Sequence, residues 1–390
     1  MNTYYFYNFK INSDIELPGC EENVDPSVEI SKEIYIGSYI NNSFKPILNE
    51  KNRRIREETE MFFEKEFLLL RYKRQFELCV FLTEDKILVD TECEDFLQTT
   101  SVLLGTGLSL FLLMRGYIPI HSGAFEYKGR AIAVSGQSGV GKSSFVRYAL
   151  ENGQPIITED TLLLNSVDDL LVYPTIGIKS KLDDKTIKFF NIDSKHLGDK
   201  IKKTQKRWIS IPSNKRWLKP IALDSLYFME PDDRLSEVSV VRLNSSEKKS
   251  LLIKNINSLN DIPVFQTVKI LKEVNRLSEK LDAYALKYPR TFDIFDALLE
   301  TIKKQEDVKM NLTQEIIELI MTKVKDVSAD KIGENTILTD DLGFDSLELV
   351  SLLIDLEAKY GIELDLEDLD IDSVNSVEGI VRLVSKYKVA

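Results

Sequence analysis

Cysteine occurs three times in 390 residues, at Cys20, Cys79 and Cys93, and histidine only twice, at His121 and His196. Three scattered thiols with no CxxC spacing exclude a disulfide framework and a cysteine-built zinc site. Long apolar runs are missing too. The most apolar stretch, VLLGTGLSLFLLM at 102–114, is broken by Gly, Thr and Ser and is too short to cross a bilayer, so it predicts a buried helix. The opening MNTYYFYNFK has no basic start followed by an apolar segment, so no secretory signal is expected. These absences together predict a cytoplasmic protein without a membrane span.

There is no positive excess of charge. The net charge is −12, and it is unevenly spread. Residues 310–390 hold 18 acidic against 7 basic side chains, while the other 309 residues hold 45 against 44. An acidic tail domain therefore follows a nearly neutral body, and nucleic acid is not expected as a partner. Between them, KKQEDVKM at 303–310 lacks Gly, Pro and packing residues. Treated as flexible coil it spans roughly 15 Å. The expected boundaries are a β-rich region at 1–94, a core at 95–304, a linker at 305–310 and a tail domain at 311–390. Met310-Asn311-Leu312 resembles the start of an independent protein, which suggests a gene fusion.

In the first region YYFYNFKI, FLLLRYKR, FELCVFL and KILVD are rich in aromatic and β-branched residues and predict strands. A helical run follows at about 95–114. The pattern then becomes RAIAV (130–134) as a strand, a glycine-rich loop, a helix at 143–150 and PIIT (155–158) as a second strand. Later strands are expected at 221–230 and 236–243, and a mainly helical stretch at 271–304 with a break near Tyr288-Pro289. The βαβ order places the loop at the carboxyl edge of an α/β sheet, where open sheets put their ligands.

That loop, GQSGVGKS at 136–143, fits G-x-x-x-x-G-K-[ST] in full. Its glycines let backbone N–H groups curl around phosphate oxygens, and the following helix points its positive end at them. Gly136, Ser138, Gly139, Val140, Gly141, Lys142, Ser143 and Ser144 form the expected nucleotide cradle. Lys142 reaches the outer phosphates and the Ser143 hydroxyl ligates Mg²⁺. No N-K-x-D tetrapeptide follows, which counts against a GTPase switch. Glu159 and Asp160 end the adjoining strand, where one carboxylate holds the metal and the other takes a proton from an attacking hydroxyl. His121, 15 residues before Gly136, is either structural or chemical on its own evidence. The basic stretch 200–220, with Trp208 and Trp217 among lysines and arginines, reads either as a docking edge or as a solvated face over two packed indoles.

HSGAFEYKGRAIAVSGQSGVGKSS followed by ITED resembles the catalytic core of the HPr kinase/phosphorylase superfamily, and LDAYALKYPRTFDIFDALLETI (281–302) resembles the end of related proteins from peptide-modifying gene clusters. The resemblance covers roughly 100–305. It implies an ATP- and Mg²⁺-dependent kinase of a serine-like hydroxyl, on a P-loop α/β fold related to phosphoenolpyruvate carboxykinase. It implies Lys142 and Ser143 as phosphate and metal contacts, with His121 and Asp160 in the active site and Asp160 at the metal. Two positions depart from the family: Glu159 replaces its first aspartate, and SSF follows Lys142 where Ser-Glu is usual. The base is therefore Glu159 or Asp160.

In the tail, Thr313 is placed to cap a helix with the stripe Ile316, Ile317, Ile320, Met321 and Val324. Asp345 and Ser346 begin a second helix, with Leu347, Val350 and Ile354 on one side. Ser376 begins a last one burying Val377, Ile380, Val381 and Val384. LGFDSLELV resembles the signature of acyl and peptidyl carrier proteins, which form all-α four-helix bundles. The resemblance implies 4′-phosphopantetheine on Ser346, attached by a phosphopantetheinyl transferase, and other biosynthetic enzymes as partners.

Together these readings predict a kinase acting on a hydroxyl of cargo tethered to the carrier as a thioester. The alternatives are a kinase of a serine in a separate peptide or protein, and a nucleotide-binding scaffold whose carrier serves other enzymes. Oligomers are compatible with either.

Overall fold

The protein is seen in a computed structural model. It describes residues 1–390 apart from 22–29, 31, 40–43, 56–58, 73–74, 94, 165–169, 176–178, 203, 292, 325–326, 328–330, 366–368, 370–373 and 389–390. The expected end of the FLLLRYKR strand, at 73–74, lies outside the described residues. The chain divides into two compact units, Met1–Asp296 and Ala297–Ala390.

The first unit opens with an eight-stranded sheet, ordered β1-β2-β3-β8-β7-β6-β5-β4. Its strands are β1 (Asn2–Phe6), β2 (Phe9–Ser13), β3 (Lys32–Ser38), β4 (Arg53–Ile55), β5 (Thr59–Phe63), β6 (Phe67–Tyr72), β7 (Phe76–Phe81) and β8 (Lys86–Val89). YYFYNFKI is a hairpin rather than one strand, because Tyr7 takes a left-handed turn at φ 56° and β1 folds back on β2. Helix α1 (Phe96–Met114) follows, with a π turn at Leu103–Gly107. Over its 19 residues it is long and apolar enough to cross a bilayer, longer than the 13-residue run suggested. Here 78% of its apolar window is buried, and Leu108, Leu110, Phe111 and Leu112 join the same core as β1 and β2.

The second sheet places the loop. Its strands are β9 (Ile118–Ile120), β10 (Ser122–Tyr127), β11 (Arg130–Ser135), β12 (Ile156–Thr158), β13 (Leu162–Leu164), β14 (Leu171–Val172), β18 (Ile221–Pro231), β19 (Ser239–Arg242) and β20 (Asp282–Tyr288). β11 and β20 flank β18 in parallel, while β10 lies antiparallel between β11 and β12. Thus β11 and β12 run the same way, and α2 (Lys142–Glu151) crosses between them as the βαβ order predicts. The helix buries Phe145, Val146, Ala149 and Leu150, the three larger of which contribute about 1.5–3 kcal/mol each if fully buried. Gly123 on β10 lets this face approach: a Cβ there would sit 2.5 Å from Val146 Cγ2.

The expected helix at 281–288 is strand β20. Ala283, Leu286 and Tyr288 have adequate helix propensity, but pairing to β18 on one side and β19 on the other buries nearly the whole segment. Tertiary pairing overrides local preference. A small third sheet, β15-β17-β16, is built from β15 (Ser180–Asp183), β16 (Leu197–Ile201) and β17 (Lys206–Ile209), with α3 (Asp184–Phe189) directly after β15. Between β18 and β20 lie α4 (Ser245–Asn255), α5 (Val264–Lys280) and the edge strand β19.

Helix α6 (Ile294–Met321) begins at the end of the first unit and runs on into the second. Residues 303–310 are therefore helical, not coil. Lys, Gln and Glu are good helix formers, and without Gly or Pro nothing stops the helix. Thr313 is accordingly no cap; it sits inside the helix and donates its hydroxyl to the Lys309 carbonyl at 3.0 Å. The second unit adds α7 (Leu338–Leu342), α8 (Ser346–Tyr360) and α9 (Val377–Lys388). Ile316, Ile317 and Ile320 pack with Leu352, Leu356, Val377, Ile380, Val381 and Val384 in one core. Ser376 caps α9, its hydroxyl accepting the Gly379 N–H at 3.0 Å.

Candidate functional site

Residues distant in sequence meet at the carboxyl edge of β11, β18 and β20. The loop leaves β11 through Gly136, whose φ of 148° favours glycine. A Cβ there would lie 3.1 Å from the Met229 carbonyl on β18 and from Val140 Cγ2. Tyr288, the last residue of β20, donates its hydroxyl to the Val140 carbonyl and ties the loop to the sheet. Gln137, Ser138 and Gly139 form the exposed rim, and Gly141 turns the chain into α2 at φ 99°. Lys142 and Ser143 then begin α2. Ser144 Oγ lies 3.1 Å from Thr186 Oγ1 on α3.

The Lys142 ammonium is buried and donates to the Gly136 and Gln137 carbonyls at 2.7 and 3.2 Å, so it closes across its own loop. Burial lowers its pKa to about 8; Lys206 adds to this and Asp160 opposes it.

His121 sits between β9 and β10, level with the end of β11. Its N–H donates to the Asn255 carbonyl at 2.7 Å, and its carbonyl accepts the Ser135 hydroxyl at 2.9 Å. Its Nδ1 is 3.1 Å from the Asp160 carbonyl and 3.5 Å from Asp160 Oδ1. Burial holds the imidazole below its usual pKa against the pull of Asp160, with Lys142 and Lys206 adding to the depression.

The two carboxylates at the end of β12 have different surroundings. Asp160 Oδ2 pairs with Lys181 Nζ at 3.2 Å. Lys181, then His121 and Lys206, hold this carboxyl well below the usual range despite burial. Glu159 is the reverse. Both of its carboxylate oxygens are buried, and burial raises its pKa against the Ser180 hydroxyl, then Arg147 and Arg216. Both acids line one cleft with Thr158, Lys181, Trp208 and Arg216, enclosing about 510 Å³ including its open mouth.

The geometry therefore brings His121, Lys142 and Asp160 together and sets Glu159 beside them. It adds Lys181, for which the sequence carried no signal, and Lys206, which was legible only as part of the basic stretch. Both come from the antiparallel pair β15 and β17, whose register pairs Lys181 with Trp208 and Asp183 with Lys206. Trp208 is buried and Lys181 Nζ lies 5.4 Å from its ring centre, so this indole is packed beneath the lysine. Among the described residues no group of three or more His, Cys, Asp or Glu gathers to hold a metal by itself.

In the second unit Ser346 is the exposed first residue of α8. The cap is Asp345: its carboxylate accepts the Glu348 N–H at 2.8 Å, and Glu348 accepts the Asp345 N–H at 2.9 Å. This reciprocal box supplies the capping, which frees Ser346 from that duty. Leu347, Val350 and Ile354 are 78%, 53% and 57% exposed, so the stripe expected to face one way faces solvent. Leu349, Leu352, Leu353 and Leu356 pack inward instead. Helix α8 is apolar on two sides, and periodicity alone does not say which is the core.

Comparison with known proteins bears mainly on this unit. The family model described as phosphopantetheine attachment site matches residues 314–384. The acyl carrier protein of Thermotoga maritima is 38% identical over 76 residues, which is 18% of this chain and 91% of that protein. Those of Zymomonas mobilis and Chloroherpeton thalassium are 32% and 31% identical, over 20% and 19% of this chain and 99% and 89% of their own lengths. Among solved structures, the HPr(Ser) kinase/phosphatase of Coxiella burnetii aligns with 50% of this chain and 98% of its own, at 10% identity. Its TM-score of 0.23 is too low to add weight to a reading of the first unit. Through its C-terminal unit the chain belongs to the acyl carrier protein family.

Proposed function

We propose that the first unit is an ATP-dependent kinase of a hydroxyl group, and that the carrier unit presents that hydroxyl on cargo held as a thioester at Ser346. The observation that carries the kinase reading is the convergence of Lys142, His121, Asp160 and Lys181 beside the glycine loop. A phosphate cradle alone serves many machines, but a carboxylate pair with opposed pKa shifts next to it suits proton transfer from an attacking alcohol.

The division of labour follows from the surroundings. Asp160, kept ionised by Lys181, is a poor proton acceptor and a good fixed charge. Glu159, with its raised pKa, accepts the hydroxyl proton as the new P–O bond forms and ADP departs. Lys142 leaves its loop carbonyls for the outer phosphates, and His121 orients Asp160 through the contacts at Nδ1. Ser143 and Asp160 would hold Mg²⁺ together with phosphate oxygens, an ion that neutralises phosphate charge when bound. On the carrier, Ser346 would bear 4′-phosphopantetheine, and Leu347, Val350 and Ile354 would give the attaching transferase and other biosynthetic enzymes an apolar stripe to grip.

The test uses holo-protein loaded with a seryl or hydroxyacyl thioester. With ATP and Mg²⁺ it should gain one phosphate by intact mass, located on the arm. No gain while ATP is hydrolysed normally would sink the tethered-acceptor assignment.

A further inference from the structure

The nucleotide cradle accounts for phosphates but leaves the base without a seat. Lys142 closes over the Gly136 and Gln137 carbonyls, which marks that side of the loop as the outer-phosphate end. The nucleoside must then leave over the first turn of α2, past Ser144. There the Ser144 hydroxyl meets Thr186 of α3 at 3.1 Å. Three residues further, about 4.5 Å along the helix axis, stands Phe189.

Phe189 is 48% exposed, unusual for a phenylalanine. Its ring is set by edge-to-face contacts, to Phe190 at 4.9 Å and 88° and to Phe295 at 6.5 Å and 81°. Phe295 in turn meets Phe145 of α2 and lies 3.9 Å from where a Gly141 Cβ would be. A chain of aromatic rings thus runs from the glycine loop to a half-exposed one. Asp183, which caps α3 by accepting the Thr186 N–H at 2.7 Å, belongs to the same strand as Lys181, so α3 is anchored to the site.

We propose that Phe189 is the platform on which the base of the bound nucleotide stacks. The inference rests on the kinase reading, since it needs the loop to hold a nucleoside triphosphate. Stacking uses the π face common to all bases, so Phe189 adds affinity for a nucleoside without choosing strongly between adenine and guanine.

Equilibrium binding of Mg·ATP and of Mg·tripolyphosphate to the full chain separates the base from the phosphates. Phe189→Ala should weaken ATP about tenfold and leave tripolyphosphate unchanged. Phe189→Trp should keep ATP affinity and give a fluorescence change with ATP but not with tripolyphosphate. Equal loss of both ligands, or no loss of either, overturns the platform while leaving the cradle intact. If the wild-type chain binds neither ligand, the nucleotide reading itself fails and the platform with it. Because Phe189 is half exposed, melting temperatures of both variants should match the wild type, so a fall in binding cannot be put down to unfolding.

Discussion

The two units expose reactive groups in opposite ways. The carrier places Ser346 on an exposed helix start built by its immediate neighbours, Asp345 and Glu348. The first unit assembles its candidate site from positions 121, 142, 160 and 181, which lie on different elements, and buries the Lys142 ammonium to do so. An exposed handle needs reach, whereas a site that stabilises charge needs fixed dipoles and low exposure, where electrostatic terms are strong. Local construction suits a handle, and non-local construction suits a catalytic cavity.

Ser346→Ala divides the units most sharply. Incubated with coenzyme A and a phosphopantetheinyl transferase, the variant should gain no arm by intact mass, with Mg·ATP binding to the first unit unchanged. An arm found on another residue would break the comparison. Next in size, Glu159→Gln should lower phosphotransfer by roughly 10²–10⁴-fold, the range for loss of a general base. The same variant should melt higher than wild type above the acid range. A raised carboxyl pKa stabilises the fold fully below the unfolded value near 4.5, and that contribution is lost as pH climbs through the folded value. The glutamine is spared that loss, and melting curves from pH 4 upward read it directly. If activity survives and the melting curves coincide, Glu159 is not the base.

On the carrier side, Leu352→Ala should cost about 2–5 kcal/mol in denaturant unfolding of the second unit, as for other buried leucines. A smaller effect comes from Lys142. Its ammonium must be charged to meet phosphate, and in the free protein it loses its proton near pH 8. Mg·ATP affinity should be flat below that pH and fall by up to tenfold per unit above it, whereas Lys142→Arg, always charged, should bind more weakly but with a flat profile. Smallest of all, Val350→Ser should change carrier stability by no more than about 0.5 kcal/mol, because the position faces solvent. A Val350 effect as large as that of Leu352 would mean the two faces of α8 have been assigned the wrong way round.

Much was legible before any coordinates. The loop at 136–143, its flanking strand and helix, and the helix start at Asp345-Ser346 each depend on residues close in sequence. What escaped has a common cause. β20 was misread because its environment, not its propensity, makes it a strand. The stripe Leu347, Val350 and Ile354 does share one side of α8, but spacing alone did not say that this side faces solvent, because a helix apolar on two sides has no unique inward direction. Lys181 carries no motif, because its role is set by the register between β15 and β17.

Sequence by itself therefore determined the elements whose chemistry is local: a glycine-rich loop before a helix, an acidic strand end and a serine at a helix start. Tertiary structure alone decided which of two adjacent carboxylates stays ionised. Glu159 and Asp160 are consecutive, so their side chains leave the strand end differently. One meets Lys181 and His121, while the oxygens of the other are buried, with Ser180, Arg147 and Arg216 as the groups that oppose its raised pKa. A pKa follows from the charges and solvent within a few ångströms of a group, and neighbours at that range come from the whole fold.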